Sequence, residues 1–137
     1  MASKALFRTL NRMHIFLYRL SGGKILGNIV GSPVLLLTTT GRKTNQERTV
    51  PLVYAYDGEN YAVIATDQPA WHRNLKSNSQ ATIQVQRQHH QVIARDAEGA
   101  EEQRWWTKIV KQSPAFESAK DKGSHKIVIL EPVKYTD

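Results

Sequence analysis

The chain has 137 residues, enough for one domain with one core and too few for two domains of usual size. It contains no cysteine, which excludes a disulfide framework and a thiolate metal site. The formal net charge is +7, and the whole excess lies in residues 1–46, which hold seven Lys or Arg and no Asp or Glu. Such asymmetry is typical of proteins that meet an anionic partner, either an acidic ligand, nucleic acid or an anionic membrane surface. We therefore expect a single domain, 1–137, with a basic N-terminal third.

An amphipathic helix is predicted within residues 1–22, because residues 3–20 place Leu and Met at helical spacing and Lys and Arg on the other side. Ser3 can cap its start, and Ser21-Gly22-Gly23 ends the pattern. Packing on its own domain explains such a helix, and so does peripheral contact with a membrane surface. Cations interrupt the apolar positions, so neither a signal peptide nor a membrane span can be drawn. A cytoplasmic location is expected, with membrane association through 3–20 left open.

The rest of the chain predicts six strands and two further helices from its apolar runs, its alternation and its turn signals. The strands are expected at 33–40, 49–56, 61–66, 81–86, 90–97 and 126–133, and the helices at 69–79 and 99–112. Pro51 indicates a bulge or a sheet edge in the second strand. A tight turn at 87–89 is expected between the fourth strand and the fifth. Consecutive strands joined in this way make a mainly antiparallel sheet, so the predicted class is α+β around a small barrel.

The turn between the first two strands carries the cations Arg42, Lys43 and Arg48 and only one acid. Gly41 permits close approach of a ligand, and the backbone N–H groups of such a turn can surround an anion. Arginine can also hold a phosphate through two parallel hydrogen bonds. A solubilising surface loop has the same composition, so the residues alone leave a binding site and a solvated turn both open.

Other residues that could carry chemistry give weaker signals. His89 and His90 are adjacent, so in a strand they face opposite sides and do not share a metal easily. Trp105 and Trp106 lie in a predicted helix, where at least one ring belongs to the core, and they lack the interleaved cations of a base-stacking surface. We therefore expect no metal site and no nucleic-acid partner.

The order of these segments resembles the deazaflavin-dependent nitroreductase family. The resemblance runs from about Ser21 to Pro132 and is most specific in LLLTTTGRKTNQERTVPL and in AWHRNL, which begins at Ala70. It implies a split β-barrel related to FMN-binding oxidoreductases. It also implies coenzyme F420 as the cofactor, a deazaflavin with a phosphate and an oligoglutamate tail, with FMN as the alternative.

The resemblance further implies which residues form the site. The cations of the turn, Arg42, Lys43 and Arg48, would hold the phosphate of the cofactor. The remaining cofactor-binding residues lie on the second and third strands and on the short helix, and they are Pro51, Leu52, Ile64, Ala65, Thr66, Trp71 and Asn74. No catalytic residue is implied.

The implied function is an oxidoreductase that transfers hydride from reduced F420 to an electron-poor small molecule, such as a quinone, an activated alkene or a nitroaromatic. The cofactor carries that chemistry, in agreement with the absence of an obvious catalytic triad. Tyr54, Tyr56 and His72 are candidate proton donors by residue type alone.

Two segments depart from the family pattern. Asp67 stands in a shortened loop where the family has a lysine, and Phe116 is the only aromatic residue in a segment that is normally rich in tyrosine. Nitroimidazole activation is therefore not expected. A non-catalytic protein that binds the deazaflavin or a fatty acid is the alternative function, and a homodimer is compatible with either.

Overall fold

The computed structural model describes residues 12, 15, 18, 19, 28, 29, 32–113, 116 and 124–134. The strands are β1 (Asn28–Ile29), β2 (Ser32–Thr40), β3 (Glu47–Val53), β4 (Ala55–Tyr56), β5 (Tyr61–Thr66), β6 (Gln80–Val85), β7 (Gln88–Asp96) and β8 (His125–Pro132). Two helices follow β5 and β7, and they are α1 (Ala70–Ser77) and α2 (Gly99–Gln112). The predicted helix at 3–20 lies largely outside the described residues. Within that range the structure describes Arg12, Ile15, Tyr18 and Arg19, and all four are helical.

The described strands form one antiparallel sheet in the order β1-β2-β6-β7-β8-β5-β4, with β3 paired to β2 off this path. The predicted mainly antiparallel α+β architecture is confirmed, although the sheet is not closed into a complete barrel. The predicted strand 49–56 is divided at Tyr54, whose N–H still donates to the Pro33 carbonyl of β2 at 3.1 Å, whereas β4 pairs with β5. The two-residue strand β1 was not predicted.

The turn between β6 and β7 lies at Gln86 and Arg87, so the predicted turn at 87–89 is one residue too late. Gln86 adopts a left-handed φ of 55°. Its N–H donates to the hydroxyl of Tyr18 at 2.7 Å. That contact fixes the turn from a part of the chain 68 residues away, so local patterning could not place it.

The two faces of the sheet build separate cores, as the alternation of side chains along a strand requires, and the two larger clusters pack under the two helices. One cluster packs under α1 and includes Leu35, Leu37, Val63, Trp71, Leu75, Ile83 and Leu130. The other packs under α2 and includes Ile127, Ile129, Trp105, Trp106 and Ile109. Both tryptophans are thus core residues, as expected for at least one of them.

The hairpin of β2 and β3 carries the candidate site. Among the described strands β3 pairs with β2 alone, with Pro51 opposite Leu36, so the predicted edge position of Pro51 is confirmed. An edge strand tolerates proline because the missing N–H is not needed for a second ladder. Since α1 packs against β2, the turn at the end of the hairpin meets the helix.

Candidate functional site

A cavity of about 1070 Å³ lies between the β2–β3 turn, the first half of β3, α1 and the helical residues near position 15. Its volume is slightly above the usual range for small-molecule sites, roughly 300–1000 Å³. The described residues that line it are Arg12, Ile15, Arg19, Gly41, Arg42, Lys43, Thr44, Glu47, Arg48, Thr49, Val50, Ala70, Trp71 and Asn74. The site therefore joins three segments that are distant in the sequence, 12–19, 41–50 and 70–74.

The turn is closed by backbone hydrogen bonds within Gly41–Gln46. The Gly41 N–H donates to the Gln46 carbonyl at 2.7 Å, and the Asn45 N–H donates to the Gly41 carbonyl at 2.8 Å. A Cβ at Gly41 would lie 2.7 Å from the Thr44 hydroxyl oxygen and 3.1 Å from the Gln46 carbonyl oxygen. A side chain at position 41 would therefore force the Thr44 hydroxyl and the Gln46 carbonyl to shift, and glycine avoids this.

Asn74 fastens this turn to α1. Its side-chain carbonyl accepts the Arg42 backbone N–H at 3.2 Å and the Arg42 Nη1 at 2.9 Å. Its amide donates to the Thr39 hydroxyl at 3.2 Å, and the residue is 3% exposed. Both polar ends of Asn74 are thus engaged within the protein. Its direct effect is to orient Arg42 at the wall of the cavity.

The cavity is strongly cationic. It is lined by Arg12, Arg19, Arg42, Lys43 and Arg48, against the single carboxylate of Glu47. Within the part of the chain that the structure describes, none of these five cations forms an ion pair with a carboxylate. Concentrated and unneutralised positive charge lining a concave surface attracts anions. The arrangement favours a ligand with several negative charges over a solvated turn.

Sequence reasoning missed Arg12 and Arg19 as site residues. They reach the cavity because Tyr18, between them, is anchored in the domain with no exposed surface. The Tyr18 hydroxyl donates to the Val34 carbonyl at 3.0 Å and accepts the Gln86 N–H. Burial raises the pKa of this hydroxyl, with the Gln86 hydrogen bond lowering it in part. The absence of acids in residues 1–46 was the one signal that could have linked the helix to the turn.

The structure brings together five of the predicted site residues, and they are Arg42, Lys43, Arg48, Trp71 and Asn74. The other five, Pro51, Leu52, Ile64, Ala65 and Thr66, are not among the described residues that line the cavity. Ile64 packs with the α2 cluster and Ala65 belongs to the α1 cluster, so their side chains lie on opposite faces of β5. Thr66 bonds to the His125 Nδ1 at 3.0 Å. The roles of these five stay predictions.

The candidate proton donors lie outside the cavity lining as well. His72 is 2% exposed, and its Nε2 lies 2.9 Å from Asp96 Oδ1. Tyr54 meets the ring of Tyr61 edge-on at 5.6 Å, and burial raises its pKa. Tyr56 is stacked on the same ring at 4.4 Å. Each of the three side chains therefore makes a contact within the fold that gives it a structural role.

The two departures from the family pattern also have structural explanations. The Asp67 N–H donates to the Ser124 carbonyl at 2.8 Å, and its carboxylate accepts the Ser124 N–H at 3.1 Å. Phe116 packs against the α2 cluster. In the described residues there is no group of His, Asp or Glu that could hold a metal ion.

Comparison with known proteins shows the family of this chain. Residues 10–132 match the profile of a family described as F420H(2)-dependent quinone reductase. The chain belongs to this family. An F420H(2)-dependent quinone reductase of Mycobacterium tuberculosis is 44% identical over 80 residues, which cover 54% of this chain and 54% of that relative. The chain thus spans about half the length of the curated relatives it matches.

Solved structures that are similar to this chain include an F420-dependent reductase, in agreement with the family assignment. An F420-H2 dependent reductase superposes with a TM-score of 0.65 at 28% identity, over 76% of this chain and 98% of that one. A domain-swapped dimer superposes with a TM-score of 0.67 at 26% identity, over 88% and 96%. The fold is therefore similar to the split-barrel-like fold of F420-dependent reductases.

Family membership implies coenzyme F420 as the cofactor, and the FMN alternative finds no support in the comparisons. The chemistry of the cavity fits this cofactor, because F420 carries a phosphate and several carboxylates and the walls carry five cations. Among the described residues, no helix has the length and apolar character needed to cross a membrane.

Proposed function

We propose that this protein transfers hydride from reduced F420 to a quinone or a similar electron-poor acceptor. The observation that carries the proposal is the cationic cavity at the β2–β3 turn, in a chain of the F420H(2)-dependent quinone reductase family. Arg42, Lys43 and Arg48 would hold the phosphate, and Trp71 and Asn74 would bound the cavity on the side of α1. Pro51, Leu52 and the end of β5 at Ile64, Ala65 and Thr66 would lie toward the ring.

The chain would contribute binding and orientation to this reaction. Arg42 is already turned toward the cavity by Asn74, at 2.9 Å from Nη1 to the amide oxygen. Trp71 is 7% exposed and offers a rigid apolar surface on the same wall, which helps exclude water. When bound, reduced F420 supplies the hydride, and a quinone that accepts it takes up a proton to become the hydroquinone. Since none of the candidate proton donors Tyr54, Tyr56 and His72 lines the cavity, we expect that proton to come from solvent.

Binding of the cofactor is the first test. Titration of the purified protein with F420 should quench tryptophan fluorescence, because Trp71 lines the cavity. Arg42→Ala with Lys43→Ala should weaken binding by several kcal/mol, since charged hydrogen bonds are worth ~1.5–3 kcal/mol each. The matched control is Arg73→Ala with Lys76→Ala, an exposed pair on α1 outside the cavity lining. Absence of binding at tens of micromolar cofactor would contradict the proposal.

Turnover separates the reductase from a non-catalytic carrier of the deazaflavin. Oxidation of reduced F420 should be followed in the presence of a quinone, an activated alkene and a nitroaromatic, each with and without protein. We expect catalysed oxidation with the quinone, and little with a bicyclic nitroimidazole because the segment around Phe116 lacks tyrosine. Tight binding without turnover of any acceptor would favour the carrier.

The oligomeric state and the location of the protein are also part of the proposal. A homodimer is supported by the similarity to a solved domain-swapped dimer, and sedimentation of the purified protein at several concentrations tests it. Cytoplasmic location with peripheral contact of residues 3–20 to a membrane is the second. If deletion of that segment leaves partitioning to anionic vesicles unchanged, the membrane contact is excluded.

A further inference from the structure

One wall of the cavity is formed by Arg12, Ile15 and Arg19, which belong to the basic N-terminal segment. Arg12 and Arg19 are seven residues apart, about two helical turns, so both side chains leave the same face of the helix at positions roughly 10 Å apart. Ile15 lies between them on that face. Both arginines are exposed and line the same cavity as the cations of the turn.

This wall is held in place by several contacts with the domain. Ile15 packs against a cluster formed by Tyr18, Val34 and Leu36. Tyr18 is fully buried, and its hydroxyl bonds to backbone groups of β2 and of the β6–β7 turn. The Arg19 Nη2 donates to the Thr49 hydroxyl at 3.4 Å, next to Arg48. The segment that carries the two arginines is therefore held beside the turn.

The cavity holds more positive charge than one phosphate can neutralise. A phosphate group carries at most two negative charges, and Arg42, Lys43 and Arg48 already supply three positive ones from a single turn. Glu47 is the only carboxylate in the described lining. Arg12 and Arg19, on another segment of the same cavity wall, are therefore available to a further anion.

We propose that Arg12 and Arg19 bind the glutamate carboxylates of the F420 tail, so that the N-terminal segment sets the preference for tail length. This inference rests on the proposed function. Its ligand is a short chain of carboxylates joined to a phosphate, which matches two arginine positions spaced along a helix beside a phosphate-binding turn. An anionic lipid headgroup is the competing source of negative charge. The cavity lining argues against it, since these arginines line one cavity together with Trp71 and the cations of the turn.

The test compares F420 carrying several glutamates with the same coenzyme lacking them, using the full chain and fluorescence titration. The wild-type protein should bind the long-tailed form roughly tenfold more tightly, because two partly exposed ion pairs each contribute a modest factor. R12Q with R19Q should lose this preference and bind both forms as weakly as the wild type binds the tail-less form. R87Q with R104Q, two exposed arginines outside the cavity, should keep it.

The outcomes separate this inference from the proposed function. If neither form binds the wild-type protein, the proposed function fails. If both forms bind the wild-type protein equally well, the function stands and the tail site is excluded, with no variant required. If R12Q with R19Q retains the tail preference but loses partitioning to vesicles that contain phosphatidylserine, the arginines serve a lipid surface and the inference is wrong.

A second readout guards against a folding defect in the double variant. Circular dichroism and the melting temperature should match the wild type, because Tyr18, which anchors the segment, is unchanged. The preference of the wild-type protein should also decline between low and high salt, since pairs between exposed charges are screened. A preference that is independent of salt would contradict the ionic origin proposed here.

Discussion

The cations beside the β2–β3 turn and the arginine of β7 differ in what neutralises them. Arg95 forms ion pairs with two carboxylates, with Nη1 2.6 Å from Glu101 Oε1 and Nε 2.6 Å from Glu131 Oε1. These bonds raise the pKa of Arg95 and lower the pKa of Glu101. The cavity lining contains five cations and one carboxylate, that of Glu47, and among the described residues none of these cations forms an ion pair. Charge on the β7–α2 side links elements of the fold, whereas charge in the cavity is left for a ligand.

The largest effect is expected from Trp105→Ala in the α2 cluster. Trp105 is 3% exposed, and removal of a large aromatic side chain from a core costs about 3–5 kcal/mol of unfolding free energy. Chemical denaturation measures this. F420 affinity should be unchanged at a temperature where the variant is folded, because the cluster lies on the sheet face away from the α1 core. A parallel loss of affinity in the folded variant would show that the two regions are coupled.

The next effect is expected from Tyr18→Phe, which removes the donor of a buried hydrogen bond to the Val34 carbonyl and the acceptor of the part-buried Gln86 N–H. Loss of a buried hydrogen-bond partner costs about 1–3 kcal/mol. The hydroxyl pKa is raised by burial, so its contribution is present below the unfolded pKa of 10 and is lost as pH rises through the folded value. The control is Tyr56→Phe, which is 41% exposed and should change stability by under about 0.5 kcal/mol. Equal effects from the two variants would contradict the anchoring role.

Asn74→Ala should affect both stability and binding, because Asn74 connects α1 to the turn. We expect a loss of about 1–2 kcal/mol in the unfolding free energy, since Thr39 and Arg42 lose a buried partner. We also expect roughly tenfold weaker F420 binding, measured by titration, because Arg42 is no longer oriented. The control is Asn78→Ala, which removes an exposed bond to the Gln80 N–H. Unaltered affinity in Asn74→Ala would show that Arg42 does not need this support.

Glu101→Gln should have the smallest effect, below about 1 kcal/mol, because the Arg95 pair is largely exposed to solvent. Its sign with pH is fixed by the lowered pKa of Glu101. The stabilisation is present above the unfolded pKa near 4.5 and is lost as pH falls through the folded value. The variant should therefore lose less stability on acidification than the wild type, in melting curves from pH 7 to 3. Glu102→Gln, at the neighbouring position, serves as the control and should behave as the wild type.

Much of the fold follows from local pattern. Strands β2, β5 and β8 are apolar runs, and α2 begins and ends where its charges indicate, so their bounds could be predicted to within a residue or so. The two-residue strand β1 is too short for any period to show. The open sheet could not be predicted either, because closure depends on how distant strands are placed.

The candidate site was predictable only in part, for the same physical reason. The cations of the turn, Arg42, Lys43 and Arg48, are close together in the sequence, so the sequence alone indicates a cationic turn. Arg12 and Arg19 join them only through the burial of Tyr18, whose hydroxyl contacts residues 16 and 68 positions away. Asn74 acts on Arg42 across 32 residues, so the sequence could not show this support, and the family resemblance implied only contact with the cofactor.

The two hydrogen bonds that Arg42 donates to the Asn74 side-chain carbonyl have a thermodynamic consequence. A free arginine loses about 0.5–1.5 kcal/mol of rotamer freedom when a ligand immobilises it. At Arg42 part of that ordering has already happened during folding, since its guanidinium is bound at 2.9 Å before any anion arrives. Lys43 has no such restraint among the described residues. The two neighbouring cations should therefore contribute to anion binding with different entropies, and calorimetry of single variants would resolve the smaller entropic penalty of Arg42.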